Sequence, residues 1–197
     1  MSSISSKNKC GKVSKIIISV GDESGVGPEI ILKAIASKQY PTDIQTLIIG
    51  SRENLFLTYK NLKSHGIKEI ANPDTLEIKD PKILNISSNK SRANYGDASF
   101  YYLKDAIEIV KSTSNASLVT GPICKKSWAL AGHNYSGQTE LLAESCNSLN
   151  IGMLFTAKSP FTGWRFNTLL ATTHIPIDQI NRNLTKELII FKLDSLL

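Results

Sequence analysis

The chain has 197 residues, 41% of them hydrophobic, and a formal net charge of +6 at pH 7. This length allows one domain, or one domain and part of another, with a substantial core. No apolar run approaches the roughly 20 residues of a membrane helix, so we expect a soluble protein without a membrane partner. Lysines cluster only near the N-terminus, and no basic stripe with interleaved aromatic residues follows, which argues against nucleic acid as a partner.

The beginning of the chain and its cysteines indicate the setting of the protein. Residues 1–14 are rich in Ser and Lys and contain no acidic residue, so we predict a disordered tail before an α/β portion at 15–197. A fragment of an organelle-targeting segment is the weaker alternative, because the stretch is short and lacks arginine. The three cysteines share no CxxC spacing, which favours a reducing compartment, the cytoplasm, over a disulfide scaffold.

The first predicted element is a strand at 15–20, whose β-branched run is typical of a strand buried on both faces of a parallel sheet. A glycine-containing turn at 21–29 follows, and Gly27 and Pro28 predict a helix that continues to about Ser37. A turn between a strand and a helix can hold an anion. Its spacing matches neither a dinucleotide fingerprint nor a P-loop, so a tight turn with a purely structural role is an equal alternative.

The middle of the chain continues to alternate strands and helices. The predicted elements are a strand at 47–50, a helix at 52–64 closed by Gly66, weak strand-like pieces at 75–78 and 83–86, and a helix from 94–97 through Val110. We expect His65 to complement the end of its helix rather than bind a ligand. Tyr101 and Tyr102 are expected to be packing residues of the last helix.

The stretch 117–144 contains the polar residues best placed for a site. Its strand at 118–120 ends in Gly-Pro, which would bring the following residues, among them Lys125 and Lys126, to one rim of the sheet. These lysines could pair with a phosphate, or could simply be solvated. His133 lies in a turn, where we expect an exposed side chain.

A helix is predicted to restart at 137–140, and its first residues are candidates for ligand binding. The side chains of Gln138, Thr139 and Glu140, with the free N–H groups of the first turn, suit an anionic or hydroxylated ligand. Ordinary helix capping by Thr139 and Glu140 is the alternative. No Ser-His-Asp order, HExxH helix or paired cysteine motif supports a hydrolase or a zinc finger.

The last third predicts a hairpin and a terminal helix. Residues 152–157 and 167–171 are predicted strands around a loop at 159–163, and an apolar helix at 184–197 needs cover from the rest of the domain or from another subunit. His174 follows the second strand and is a candidate metal ligand, with a structural hydrogen bond as the alternative. The whole pattern predicts an α/β protein with a largely parallel sheet and an antiparallel hairpin.

Three blocks of sequence occur together in order: GDESGVGPEI at 21–30, VTGPICKKSWALAGHNYSGQTELLAE at 119–144 and ATTHIPI at 171–177. With this order and spacing, the chain resembles the 4-hydroxythreonine-4-phosphate dehydrogenase family of pyridoxal 5'-phosphate (vitamin B6) biosynthesis. The resemblance implies a two-lobed α/β fold similar to that of isocitrate and isopropylmalate dehydrogenases, truncated here to an amino-terminal portion. It also implies a homodimer with a site shared between subunits.

The resemblance further implies an activity and its cofactors. The family oxidises 4-phosphohydroxy-L-threonine with NAD or NADP, and the 2-amino-3-oxo acid phosphate formed then decarboxylates. A divalent metal (Zn, Mg or Co) activates the substrate hydroxyl, and His174 matches the first of its histidine ligands. Gln138 and Thr139 match the substrate-contacting pair of the family's Gly-His-Thr-Glu motif. Asp22 and Lys125 would line the cleft, without an assigned role.

The sequence departs from the family pattern within these blocks. Gln138 stands where the family has histidine, and an amide cannot carry a proton or a positive charge at neutral pH. Glu23 and Ser24 replace Pro-Ala, Cys124 replaces Asn, and the family's other metal motifs, Asn-Pro-His-Ala-Gly and Tyr-His-Asp-Gln-Gly, do not occur. These departures leave two alternatives to the interpretation that the chain is a portion of this dehydrogenase. One is a non-catalytic relative that binds a phosphorylated ligand or a partner subunit, and the other is a dehydrogenase of phosphorylated four-carbon sugar acids.

Overall fold

The computed structural model describes residues 14–41, 43–81, 91–148, 151–173 and 175–194. They form two compact units, one up to Gln138 and one from Thr139 onward. Within these ranges no helix is both long enough and apolar enough to cross a membrane. Residues 1–13 of the predicted tail lie outside the described residues, and Ser14 donates its N–H to the carbonyl of Asn115 at 2.9 Å.

The first unit alternates strands and helices, as expected. Its elements are β1 (Lys15–Ser19), α1 (Gly27–Ala36), β2 (Gln45–Ile49), α2 (Arg52–Ser64), a 3₁₀ turn (Pro73–Thr75), β3 (Glu77–Lys79), α3 (Arg92–Ser112), β4 (Ala116–Thr120), α4 (Lys125–Leu130) and the start of α5 (Gln138–Ser145). The four strands form one sheet in the order β3-β2-β1-β4, with every pair parallel. The predicted α/β class and the largely parallel sheet are therefore confirmed.

Apolar side chains of the strands form the core of this unit. Ile17 pairs in register with Leu47 on one side and Leu118 on the other, and Ile17, Ile48 and Ile49 are fully buried. Helix α3 contacts β1, β2 and β4. Since parallel strands join their neighbours through crossovers, all four strands deliver the loops after them to the same edge.

Helix α2 has the predicted bounds, because both its ends carry clear signals. Ser51 caps the start by accepting a hydrogen bond from the N–H of Asn54 at 3.2 Å. Gly66 ends it with φ +80°. Nδ1 of His65 lies 2.8 Å from the carbonyl oxygen of Asn61, which confirms that this histidine complements the helix end. The strand-like piece predicted at 83–86 lies outside the described residues.

In the first unit one helix was missed and one prediction was wrong. Helix α4 was not predicted, and its short sequence is held by the fully buried Trp128. His133 was expected to be exposed, but its side chain is only 17% exposed and its Nε2 lies 2.8 Å from Oδ1 of Asp97. The imidazole also stacks on Phe100, with ring centroids 3.7 Å apart. Stacking on Phe100 and the contact with Asp97 therefore keep the His133 side chain largely buried.

The second unit contains the predicted hairpin and the terminal helices. Its elements after α5 are β5 (Leu154–Lys158), β6 (Arg165–Leu169), a 3₁₀ turn (Ile177–Gln179), α6 (Ile180–Asn183) and α7 (Lys186–Asp194). The strands pair antiparallel, from Leu154 opposite Leu169 to Lys158 opposite Arg165, which confirms the hairpin with shifted bounds. The helix predicted at 184–197 is found at Lys186–Asp194, and residues 195–197 lie outside the described residues.

Candidate functional site

Two loops meet at the carboxyl ends of β1 and β4, where the sequence predicted a site. Gly21 has φ +77°, and a Cβ on it would lie 2.3 Å from the carbonyl oxygen of Pro122. A Cβ on Gly121 would lie 2.1 Å from the carbonyl oxygen of Val20. The N–H of Asp22 donates to the Pro122 carbonyl at 2.9 Å. Only glycine permits two backbones to approach this closely. Close packing therefore explains Gly21 and Gly121, and anion binding is not needed to explain them.

The carboxylate of Asp22 is committed to its own loop. Asp22 is only 6% exposed, and its Oδ1 accepts hydrogen bonds from the N–H of Ser24 at 2.9 Å and from the Ser24 hydroxyl at 2.6 Å. This arrangement stabilises the turn between β1 and α1. Asp22 thus lies at the expected rim and acts there as a structural residue of the loop.

Gln138 joins this rim from the start of α5. Its Nε2 donates to the carbonyl oxygen of Gly121 at 2.9 Å. Its Oε1 is buried and has no hydrogen-bond partner among the described residues. A buried acceptor without a partner costs about 1–3 kcal/mol, so this amide is only half satisfied.

Thr139, the other predicted substrate contact, opens the second unit. It lines a small cleft of about 70 Å³ that includes Met153, Thr173 and Lys192. The Lys192 ammonium donates to the carbonyl of Ile151. The structure therefore places Thr139 and Thr173 in one cleft. His174 itself lies outside the described residues, and its role as a metal ligand stays a prediction.

Lys125 and Lys126 begin α4 and are exposed to solvent. Cys124 precedes them, and hydrogen bonds from the side chain and backbone of Ser127 lower the pKa of its thiol. Because Lys125 and Lys126 are exposed, their ammonium groups are accessible to an anion at the rim, as pairing with a phosphate requires.

A second cleft, of about 170 Å³, lies at the carboxyl ends of β1, β2 and β3. Its most buried acid, Glu23, accepts hydrogen bonds at Oε1 from the N–H of Ser51 at 2.9 Å and from the Tyr102 hydroxyl at 2.5 Å. Burial is the main cause that raises the pKa of Glu23, and the nearby charge of Asp80 adds to it. Burial, followed by the charge of Glu23, also raises the pKa of Tyr102.

Sequence reasoning missed this cleft and treated Tyr102 as a packing residue. The tyrosine is 1% exposed, as predicted for a core position, but its hydroxyl also binds Glu23. The available signal was Glu23 itself, an acidic residue in the turn that follows a buried strand. Its partner could not be found by spacing, because the two lie 79 positions apart.

The described residues do not supply a site for the metal that the resemblance implies. They contain no group of three or more His, Cys, Asp or Glu side chains that could hold a metal ion. His65 and His133 are occupied by Asn61 and Asp97. The glycines of the first loop are explained by packing, so a dinucleotide cradle has no support there either.

Comparison with known proteins gives consistent matches. A family model described as "Pyridoxal phosphate biosynthetic protein PdxA" matches residues 42–196. The 4-hydroxythreonine-4-phosphate dehydrogenase of Synechococcus sp. (strain RCC307) is 43% identical over 176 residues, covering 89% of this chain and 53% of the relative. That of Thermosynechococcus vestitus is 40% identical over 175 residues, covering 87% of this chain and 50% of the relative. The chain spans about half the length of these curated relatives.

Solved structures of the same name share the fold. A 4-hydroxythreonine-4-phosphate dehydrogenase from Burkholderia phymatum superposes with a TM-score of 0.71 at 23% identity, covering 93% of this chain and 57% of the other. One from Klebsiella pneumoniae gives 0.71 at 22% identity, with 93% and 58% covered. At this identity the likeness establishes the architecture alone.

Proposed function

The chain belongs to the family of the pyridoxal phosphate biosynthetic protein PdxA, and from this premise we propose that it forms the substrate-binding portion of a 4-hydroxythreonine-4-phosphate dehydrogenase. The observation that carries the proposal is the family match over residues 42–196. The reaction is the NAD- or NADP-dependent oxidation of 4-phosphohydroxy-L-threonine to a 2-amino-3-oxo acid phosphate, which then decarboxylates.

Gln138 and Thr139 contact the substrate in this proposal, and Lys125 offers a charge partner for its phosphate. Gln138 lies at the carboxyl ends of the strands, the usual position of ligands in open α/β sheets. The exposed Lys125 lies on the same rim, four residues after Gly121. These residues bind and orient a phosphorylated small molecule.

The proposal includes a cofactor, a metal, an oligomeric state and a location. The enzyme uses NAD or NADP and a divalent metal (Zn, Mg or Co), with His174 as one metal ligand. It has the two-lobed fold of isocitrate and isopropylmalate dehydrogenases, and acts as a cytoplasmic homodimer with shared sites. The described residues supply neither a metal ligand set nor a dinucleotide cradle, so we assign no reaction step to either group.

Isothermal titration calorimetry tests the proposal directly. The purified chain is titrated with 4-phosphohydroxy-L-threonine, with and without zinc, while NADH formation is followed in a parallel assay that also contains NAD. We expect binding in the micromolar to millimolar range typical of metabolic enzymes, about 1 μM to 1 mM. The matched control is Lys125→Met, which keeps the length of the side chain and removes its charge, and which should weaken binding. No binding under either condition would overturn the proposal.

A second candidate is a relative that binds the phosphorylated ligand without turning it over. Gln138 favours it, because an amide cannot take up a proton at neutral pH. The same titration separates the two candidates: heat of binding without NADH formation, also after addition of zinc, supports the binding module. NADH formation in proportion to enzyme concentration supports the dehydrogenase.

A further inference from the structure

The amide of Gln138 has a fixed polarity. A backbone carbonyl can only accept hydrogen bonds, so the group 2.9 Å from the Gly121 oxygen must be the NH₂ end of the side chain. A flipped amide would place two acceptors against each other. Hydrogen-bond chemistry thus fixes which atom is free, and that atom is Oε1, which can only accept.

Oε1 is also the one buried side-chain nitrogen or oxygen without a partner among the residues that the structure describes. Other buried polar side chains are paired: the Ser99 hydroxyl, for example, donates to the Gly96 carbonyl and accepts from Trp128. Native proteins rarely leave such an atom unpaired, and functional sites are a recognised exception. Oε1 of Gln138 is therefore an acceptor that a ligand donor can complete.

We propose that Oε1 of Gln138 accepts a hydrogen bond from a hydroxyl or ammonium group of the ligand, and so selects ligands that carry a donor at this point rather than a carboxylate or phosphate oxygen. This rests on the proposed function, in which Gln138 contacts the substrate. The residue as a whole is half-buried, so part of its surface faces solvent, whereas Oε1 itself is enclosed.

The proposed substrate offers two such donors, the ammonium on carbon 2 and the hydroxyl on carbon 3. Calorimetry with matched analogues identifies which one is used. O-Phosphohomoserine keeps the ammonium and lacks the hydroxyl, whereas 3-hydroxy-4-phosphobutanoate keeps the hydroxyl and lacks the ammonium. 4-Phosphoerythronate carries a hydroxyl in place of the ammonium. We expect the analogue that lacks the required donor to bind at least about tenfold more weakly, or about 1.4 kcal/mol.

Two variants attribute this discrimination to Gln138. In Gln138→Met only a thioether, a weak acceptor, remains, so the affinity difference between the analogues should largely disappear. In Gln138→His a neutral imidazole can donate to Gly121 with one nitrogen and accept with the other, but an imidazolium has no acceptor. Binding by this variant should fall about tenfold as the pH drops below roughly 6.5, the usual histidine pKa. The phosphate of the ligand titrates in the same pH range and affects binding by both proteins. The ratio of wild-type affinity to variant affinity therefore reports the effect of the histidine.

The outcomes separate this inference from the proposed function. Equal affinity for all four ligands, or unchanged discrimination in Gln138→Met, overturns the inference and leaves the proposed function standing. Absence of binding by every ligand overturns both. If Gln138→Met does not fold, as judged by circular dichroism, the pH dependence of Gln138→His decides: a ratio that is constant with pH overturns the inference.

Discussion

Burial and hydrogen bonding have opposite effects on the pKa of the Glu23 carboxyl group. Burial favours its neutral form, whereas hydrogen bonds from Tyr102 and from the Ser51 N–H favour the charged form. The pKa of Glu23 is raised, so burial outweighs the two donors. Both donors bind Oε1, which leaves the charge on this carboxylate incompletely compensated. At neutral pH the ionised form of Glu23 therefore contributes less stability than its protonated form would.

Replacing Glu23 by Gln should stabilise the protein at neutral pH. The folded-state pKa lies above the unfolded value of 4.5, so the folded form binds more protons and wild-type stability falls as pH rises through this window. The amide oxygen can still accept from both donors. We expect the melting temperature of Glu23→Gln to exceed that of wild type by about 2–4 °C per kcal/mol gained at pH 7.

A thermal melt of both proteins at several pH values checks this prediction, and the gain should vanish when the pH falls below 4.5. Glu53→Gln serves as the control, because Glu53 lines the same cleft but is exposed. A gain that is equally large under acidic conditions would show that burial of charge is not its cause.

Tyr102→Phe should destabilise the protein by about 1–3 kcal/mol, the usual cost of removing a donor from a buried charged acceptor. Among the described residues, Oε1 of Glu23 then keeps only the hydrogen bond from the Ser51 N–H. The phenyl ring retains the packing, so the loss of unfolding free energy measures the contribution of the hydroxyl group. Bonds to an ionised acceptor are the stronger ones, and the loss should shrink in the Glu23→Gln background. Urea denaturation of the two single variants and the double variant measures this coupling. Strictly additive changes in the free energy of unfolding would contradict the contact.

Helix α4 depends on its contact with α3 more than on its own sequence. It has six residues and no side-chain cap, which is marginal for an isolated helix. Gly96 of α3 lets it approach so closely that a Cβ there would lie 2.0 Å from the Ser127 carbonyl oxygen. Nε1 of Trp128 donates to the Ser99 hydroxyl at 2.7 Å. The tertiary contact therefore forms this helix.

Gly96→Ala should destabilise the protein strongly, although alanine favours helices. The new methyl group meets backbone, which cannot rotate away, and overpacking of this kind costs about 1–3 kcal/mol or more. Chemical denaturation measures the loss. Gly25→Ala is the matched control, since its Cβ would lie 3.4 Å from the nearest atom. Equal stability of the two variants would contradict the close approach of α3 and α4.

The sequence predicted elements whose signals are local. The apolar run that became β1 and the Ser51 and Gly66 ends of α2 needed no knowledge of distant residues. Contacts across the fold were not predictable in this way: α4 depends on Gly96, and the Glu23–Tyr102 bond spans 79 positions. For the candidate site, the rim location followed from the strand that ends in Gly-Pro, whereas the contact of Gln138 with Gly121 depends on how the chain folds. The roles of Thr139 and His174 stay predictions.

The two units of the molecule differ in how their strands are covered. The central strands of the first unit are buried, and Ile17 and Ile48 are fully inaccessible to solvent. Among the described residues of the second unit, the hairpin sheet consists of two strands, and Phe155, Trp164 and Phe166 are 56%, 64% and 51% exposed. A lone two-stranded hairpin is at best marginally stable in water. Local stability should therefore vary widely along the chain.

Amide hydrogen exchange should reveal this difference. Opening free energies range from about zero in poorly covered segments to the global value in core strands. We expect amides of β1 and β2 to exchange at least about a hundredfold more slowly than those of β5 and β6, after correction for intrinsic rates. The measurement is made at a concentration where light scattering shows no association, because a second copy could protect the hairpin. Equal protection in both sheets would show that the hairpin is covered, contrary to its exposure here.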